Sequence, residues 1–255
     1  MSVASRLEDL LAEDPSDDEL DQWLIAKAAR WRQEPKLITA QLKMAAMAAP
    51  SAALQLLRRL QVHSIESNAF HVSAALKAME TSTAWPWALQ VLKELPVLHV
   101  APNEFSYSIA MSACRRAGRP SELLALMEEM PKMTVMPNEI SFGIAISACR
   151  AAQDWTMTLK LLGQMVTAQM VPNIIMYSGA IGACGSHGEW QIALQLLHDM
   201  QHEDLSPDQI CFSAAFSALS TSAWPQGLAL LNSMGESSIQ PDQMTYNAAM
   251  NLFAN

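Results

Sequence analysis

The sequence predicts an all-α fold, an α-solenoid in which antiparallel helix-turn-helix repeats stack into a right-handed superhelix. Two observations predict it. Proline recurs at spacings of 35, 35, 35 and 34 residues, each time followed by Asn or Asp, and aromatic and alanine residues recur in the same register. Each repeat has room for two short helices, and neither could bury its apolar stripe alone. The repeats must therefore stack around one continuous core.

Four columns of residues define the period. The prolines and the residues after them are Pro102-Asn103, Pro137-Asn138, Pro172-Asn173, Pro207-Asp208 and Pro241-Asp242. The aromatic column is Tyr107, Phe142, Tyr177, Phe212 and Tyr246. The alanine column is Ala78, Ala113, Ala148, Ala183 and Ala218, and the Leu/Met column is Leu60, Leu95, Met130, Met165, Met200 and Met234.

Within one repeat, apolar spacing predicts the two helices. Tyr107, Met111 and Cys114 lie at i, i+4 and i+7, and a second stripe of the same kind begins at Leu123. Glycine marks the turn between them in two repeats, at Gly118 and Gly188. Prolines stand at the start of the second helix, where a missing N–H is harmless. These prolines are Pro50, Pro86, Pro120 and Pro225.

The repeats follow one another along most of the chain as one elongated domain. Capping helices are expected in residues 1–33, and the repeat array in residues 34–255. The repeats are 34–68 (degenerate), 69–103, 104–138, 139–173, 174–208, 209–242 and 243–255 (partial).

Composition excludes some classes of protein. Hydrophobic residues make up 51% of the 255 and charged residues 16%, which argues against intrinsic disorder. Charged or polar residues or prolines interrupt every apolar stretch before it is long enough to span a membrane, so we expect no membrane partner. The net charge of −9 disfavours phosphate binding, and residues 161–255 contain no Lys or Arg. A cationic surface must therefore lie upstream of Lys160.

Neither metal chemistry nor catalysis is expected. Cys114, Cys149 and Cys184 are 35 residues apart, so they occupy equivalent places in successive repeats, too far apart for a disulfide. His198 and His202 have metal-ligand spacing but no third ligand. No nucleotide-binding or nucleophile motif occurs, so we expect no cofactor, no metal and no enzyme activity.

The column pattern resembles the pentatricopeptide repeat over residues 34–255. The stretches Pro172–Ser178 and Pro241–Asn247 carry the resemblance, together with Ala-Leu in the second helix, as at Ala193-Leu194. The 34-residue tetratricopeptide repeat is the competing assignment, but its Trp-Leu-Gly-Tyr pattern is absent.

The resemblance implies binding of single-stranded RNA, with one base per repeat. The fifth and last residues of each repeat would read the base. The pairs are Ser73 with Asn103, Ser108 with Asn138, Gly143 with Asn173, Ser178 with Asp208, and Ser213 with Asp242, and Asn247 opens a further pair. In this family Ser with Asn prefers adenine and Ser with Asp prefers guanine, so the array would read 5′-AANGG-3′, with no base assigned to Gly143.

The second residue of each repeat would form walls around the base, and basic residues at the end of the first helix would meet the phosphates. The walls are Phe70, Phe105, Ile140, Ile175, Ile210 and Met244. Only Arg116 matches the family's basic position, with Arg115 and Arg150 one residue earlier. With so few cations, we expect a log–log salt slope of about −1.4 to −2.1.

Structural roles compete with each of these assignments. Ser and Asn are ordinary helix caps, Phe70 and Phe105 could fill the core, and Arg115 and Arg116 could complement a helix C-terminus. The competing function is a protein-binding α-solenoid whose acidic C-terminal half recognises a basic partner.

Cellular location follows from the resemblance alone. The resemblance implies that the protein acts as a monomer in RNA processing, stability or translation, in a mitochondrion or chloroplast. The N-terminus is acidic, whereas a transit peptide is rich in Arg and poor in acids. The protein is therefore cytosolic or nuclear, or its targeting segment lies outside this chain.

Overall fold

The computed structural model describes residues 21–27, 31, 34–63, 68–81, 84–219, 223–236, 239–241 and 243–253. Every regular element in these ranges is helical, which confirms the predicted all-α class. Residues 21–27 form a helix in which Trp23 and Leu24 are buried. The rest of the predicted capping region, apart from Trp31, lies outside the described residues, as does Asp242.

From residue 69 onward, the first helix of each repeat begins at the first residue of that repeat. The helix bounds are α1 Pro35–Ala48, α2 Pro50–Val62, α3 Ala69–Thr81, α4 Trp85–Glu94, α5 Glu104–Arg116, α6 Pro120–Glu129, α7 Glu139–Ala151, α8 Trp155–Thr167, α9 Ile174–Gly185, α10 Trp190–His202, α11 Gln209–Ala218, α12 Trp224–Glu236 and α13 Gln243–Phe253. A short 3₁₀ helix, Met130–Met133, follows α6.

The chain divides into two compact units, Met1–Ser141 and Phe142–Asn255. In the first unit the first helices α1, α3 and α5 stack side by side, and α2 and α4 each pack against the first helix of their own repeat and that of the next. The second unit repeats this arrangement with α9, α11 and α13 as stacked first helices and α10 and α12 as second helices. Each unit has the helix-on-helix order of an α-solenoid.

The columns read from the sequence form the core. Tyr107, Phe142, Tyr177 and Phe212 are buried in the first helices, whereas Tyr246 of α13 is 55% exposed. The alanine column and the Leu/Met column are buried as well. Small residues allow the first helices to approach closely: a Cβ added at Gly185 would lie 2.9 Å from the carbonyl oxygen of Ala214.

Three repeats have a left-handed residue at the turn between their two helices. Gly118 and Gly188 adopt φ of 66° and 72° there, as the sequence predicts. Gln153 occupies the equivalent place with φ 58°, although a side chain disfavours that conformation.

A second left-handed position follows four of the second helices, and the sequence analysis missed it. His99, Thr134, Gln169 and Asp204, again 35 residues apart, all have positive φ. The next residue donates its N–H back to the Leu/Met column, as from Val135 to the carbonyl of Met130 at 2.9 Å. This is the Schellman motif that usually carries glycine, and no glycine marks it here.

All four cysteines are buried and free. Burial raises the pKa of Cys114, Cys149 and Cys184 to about 11 and that of Cys211 to about 12. These thiols are protonated and unreactive at neutral pH.

We expect Gln153→Gly to stabilise the protein by about 0.5 to 1 kcal/mol, because glycine adopts positive φ without steric cost. Denaturant unfolding measures the change. Gln153→Ala is the matched control and should not stabilise, since alanine keeps the Cβ; equal effects of the two variants would contradict this account of the turn.

We expect stability to fall as pH rises from about 9 to 11. Below the unfolded thiol pKa, 9.0, both states keep their protons. Above it the unfolded chain releases protons that the folded state retains, at a cost of about 1 to 2 kcal/mol for each thiol. Thermal unfolding against pH measures this. The Cys184→Ala variant should show a shallower fall, and an unchanged fall would contradict the assignment to the thiols.

Candidate nucleic-acid interface

The Asn/Asp column caps the first helices. Each side chain accepts a hydrogen bond at Oδ1 from the backbone N–H three residues later. The distances are 2.8 Å from Ser106 to Asn103, 3.0 Å from Ser141 to Asn138, 3.1 Å from Met176 to Asn173 and 2.9 Å from Cys211 to Asp208. The structural role that competed with base reading is therefore real for these four residues.

Two of the caps are reinforced by a serine. The buried Ser106 hydroxyl accepts from the N–H of Asn103 at 3.0 Å and donates to its carbonyl at 2.8 Å. The buried Ser141 holds Asn138 in the same way, at 2.7 and 2.8 Å. These bonds fix where the cap residue and its side chain lie.

Capping occupies only Oδ1, one of the two terminal atoms of each side chain. In Asn103 and Asn173 the amide Nδ2 has no hydrogen-bond partner among the described residues, so its two hydrogens can be donated. Asp208 has the same cap geometry but carries only acceptors. The column therefore offers a donor where it holds Asn and an acceptor where it holds Asp.

Asn138 is the exception. Its Nδ2 donates a hydrogen bond of 2.7 Å to Oε2 of Glu104, the first residue of α5.

The four fifth-position serines are half-buried, and two of them donate their hydroxyl proton to a backbone carbonyl of their own helix. Ser73 donates to the carbonyl of Ala69 at 2.6 Å, and Ser178 to that of Ile175 at 3.0 Å. Their oxygens remain available as acceptors. Ser108 has no side-chain hydrogen bond within the described part of the chain.

Two contacts in the second unit show what the fifth position faces. The Ser213 hydroxyl on α11 lies 3.0 Å from Oγ1 of Thr245, in the first turn of α13. A Cβ added at Gly143 on α7 would lie 3.3 Å from Cε of Met176, in the first turn of α9. The fifth residue of one first helix thus lies beside the N-terminus of the next, where the cap residue stands.

The proposed wall residues are exposed apolar side chains. Phe70 is 69% exposed, Phe105 58%, Ile140 63%, Ile175 78% and Ile210 63%. Phe70 and Phe105 therefore do not fill the core, contrary to the competing interpretation. The second and fifth residues of a helix lie on one face, so each wall residue stands beside a fifth-position residue. The side chain of Met244 lies outside the described residues, and Asn247 is exposed on α13.

Three arginines are candidates for phosphate contact. Arg115 and Arg116 in the last turn of α5 and Arg150 in that of α7 are exposed, with no ion pair among the described residues. Two other arginines, in contrast, are paired: Arg58 with Glu94, and Arg59 with Asp21. The stem of Arg150 lies over α9, with Cδ 3.8 Å from a Cβ added at Gly179.

One cap was missed in the sequence. Asn68 accepts from the N–H of His71 at 3.0 Å, in the geometry of Asn103. Its spacing of 35 residues before Asn103 was the available signal, but Ser67 stands where the other repeats have proline. The fifth position of that repeat is Ile38, which is buried, so this repeat has no polar pair.

No group of three His, Cys, Asp or Glu residues that could hold a metal occurs within the described ranges. In the same ranges, no helix is long and apolar enough to cross a bilayer.

Two family models match the chain. One, described as the pentatricopeptide repeat domain, matches residues 160–221, and the other, the PPR repeat, matches residues 105–135. No curated protein sequence matches it significantly.

Solved structures with a similar fold include PPR10, a pentatricopeptide repeat protein, in complex with an 18-nt psaJ RNA element. The TM-score is 0.65 at 22% identity, over 99% of this chain and 37% of that chain. Another structure, of PPR10 from maize, has a TM-score of 0.59 at 17% identity, and the match covers 99% of this chain and 44% of that chain. The PPR domain of Arabidopsis thaliana protein-only RNase P 1 in complex with tRNA gives 0.60 at 17% identity, over 71% and 95%. This chain thus spans little more than a third of the RNA-bound PPR10 chain.

Proposed function

The chain is a pentatricopeptide repeat protein, and we propose that it binds single-stranded RNA, one base per repeat, with the preference 5′-AANGG-3′. The observation that carries the proposal is the cap geometry of the Asn/Asp column. One side-chain atom is held by the backbone, and the other presents a donor in Asn and an acceptor in Asp.

Adenine fits a Ser/Asn pair. Its Watson–Crick edge has an acceptor at N1 and a donor at the N6 amino group. Nδ2 of Asn103 would donate to N1, while Oγ of Ser73, whose proton is bound by Ala69, would accept from N6.

Guanine fits a Ser/Asp pair. Its N1–H and N2 amino group both donate, so they suit the carboxylate of Asp208 in the repeat of Ser178. The same arrangement would apply to Ser213 with Asp242.

The exposed wall residues would supply stacking energy. Bases stack on aromatic side chains with about 1 to 3 kcal/mol each. Phe70 and Phe105 bracket the first base, and aliphatic Ile140, Ile175 and Ile210 serve the later ones. With Arg115, Arg116 and Arg150 as the phosphate contacts, stacking and base edges would provide most of the affinity.

The biological role we propose is that of a non-catalytic adaptor. By occupying a short RNA segment, it would act in RNA processing, stability or translation, in a mitochondrion or chloroplast. It would act as a monomer, since the proposed interface needs no second copy.

A protein-binding scaffold is the second candidate, favoured by the absence of Lys and Arg from residues 161–255. A basic protein retained after nuclease treatment would support it.

Fluorescence anisotropy of labelled, unstructured RNA tests the proposed function. AAAGG should bind more tightly than CCCCC, with a salt slope of about −1.4 to −2.1. Equal binding to both sequences would contradict base reading.

We expect Asn103→Asp to move the preference at the first base from adenine to guanine, by about 1 to 3 kcal/mol. Asp caps a helix as well as Asn does, so stability should change little. Affinities for AAAGG and GAAGG measure the switch. Asn103→Ala, the control, should lose the preference without gaining another; an unchanged order of affinities in Asn103→Asp would rule out the pair assignment.

We expect Gly143→Ser to create an adenine preference at the third base, since it completes a Ser/Asn pair with Asn173. The added Cβ would meet only the flexible end of Met176. Binding to AAAGG and AAGGG should differ by about tenfold in the variant. Gly143→Ala adds the Cβ without the hydroxyl and should not discriminate; equal discrimination by the two variants would show that the hydroxyl does not read the base.

A further inference from the structure

The first and second base-reading repeats carry the same Ser/Asn pair but differ at their first residue. Repeat 69–103 begins with Ala69, and repeat 104–138 begins with Glu104. Asn103 has a free Nδ2 among the described residues, whereas Nδ2 of Asn138 donates to Oε2 of Glu104 at 2.7 Å. The two repeats are therefore chemically different despite identical pairs.

We propose that Glu104 is a specificity-determining residue: it weakens the preference for adenine at the second base by holding the Nδ2 donor of Asn138. The inference rests on the proposed function, because it concerns how that pair reads its base.

Both sides of the Asn138 amide are engaged in the free protein. Oδ1 accepts from the N–H of Ser141 at 3.0 Å, and Nδ2 donates to the carboxylate. A bond to a carboxylate is charge-assisted, about twice as strong as one between neutral groups. Adenine N1 is a neutral acceptor, so it competes poorly for this donor.

The carboxylate also changes what the repeat presents to a base. Glu104 is exposed and brings an acceptor beside a position that otherwise donates. Adenine offers N1 as an acceptor there, so acceptor faces acceptor. Guanine and uracil, which have a ring N–H, are penalised less than adenine. The preference for adenine at the second base is therefore smaller.

The chain supplies a matched control at Glu139, the first residue of α7. It is also an exposed acidic residue in a first helical turn, yet Nδ2 of Asn173 has no partner among the described residues. Glu104→Ala and Glu139→Ala each remove one negative charge and one favourable helix-dipole interaction. General effects on charge and stability should therefore be similar in the two variants.

The test measures affinity of the full chain for AAAGG, GAAGG and AGAGG. In the unsubstituted protein, replacing adenine by guanine should cost about five- to tenfold more affinity at the first base than at the second. Glu104→Ala should raise discrimination at the second base to that of the first, and Glu139→Ala should leave it unchanged. The reciprocal Ala69→Glu should lower discrimination at the first base.

The outcomes separate this proposal from the function on which it rests. Discrimination at the first base, with no effect of Glu104→Ala at the second, would overturn the role of Glu104 alone. Loss of discrimination at both bases in every variant would overturn base reading itself, and this proposal with it.

A measurement without RNA tests the contact. In the ¹H–¹⁵N spectrum of the free protein, the side-chain amide of Asn138 should shift in Glu104→Ala, whereas the side-chain amide of Asn173, which has the same role in the next repeat, should stay in place. An unmoved Asn138 amide would overturn the proposal, whatever the binding data.

Discussion

The hydrogen bond from a backbone N–H to the side-chain oxygen of an Asn or Asp is the interaction on which this structure depends. It starts a first helix at a fixed residue in repeat after repeat, which sets the register in which the buried aromatic and alanine columns stack. It also fixes the orientation of the capping side chain. One local bond therefore links helix formation, packing between repeats and the chemistry of the exposed surface, because the atom that does not cap is left at the surface.

This link explains why structural and functional interpretations of the same residue need not exclude each other. Asn173 and Asp208 both cap through Oδ1, so exchanging one for the other changes the surface without changing the helix. The chemistry of this surface can therefore vary while the fold stays constant. Glu104 shows the opposite case: it lies outside the Asn/Asp column, yet it holds the Nδ2 donor of Asn138.

Much of the fold follows from the sequence, for physical reasons that can be named. The period is visible because each repeat must meet its neighbours with the same buried residues, and the starts of the second helices are visible because proline tolerates few other helical positions. The turns were harder to predict from the sequence. Gly118 and Gly188 mark one of them, but Thr134 and Gln169 adopt positive φ without glycine, so nothing in their side chains marks the end of the second helix.

The candidate site divides in the same way. Spacing located the caps and the wall residues, and exposure of Phe70 and Phe105 then separated surface from core, which periodicity could not do because both sets share helical spacing. Asn68 escaped notice because its repeat lacks the preceding proline. The hydrogen bond between Asn138 and Glu104 joins residues that are 34 positions apart in the sequence. It depends on how the helices pack, so it could be found only in the structure.

The most direct test of the central claim is a ¹H–¹⁵N spectrum recorded while AAAGG RNA is added to the protein. The account predicts that the side-chain amide of Asn103 shifts on binding, while the capping backbone amide of Ser106 keeps its position and its slow hydrogen exchange. Loss of protection at Ser106, or an Asn103 side chain that does not respond to bound RNA, would contradict the claim that one side chain caps the helix and reads the base at the same time.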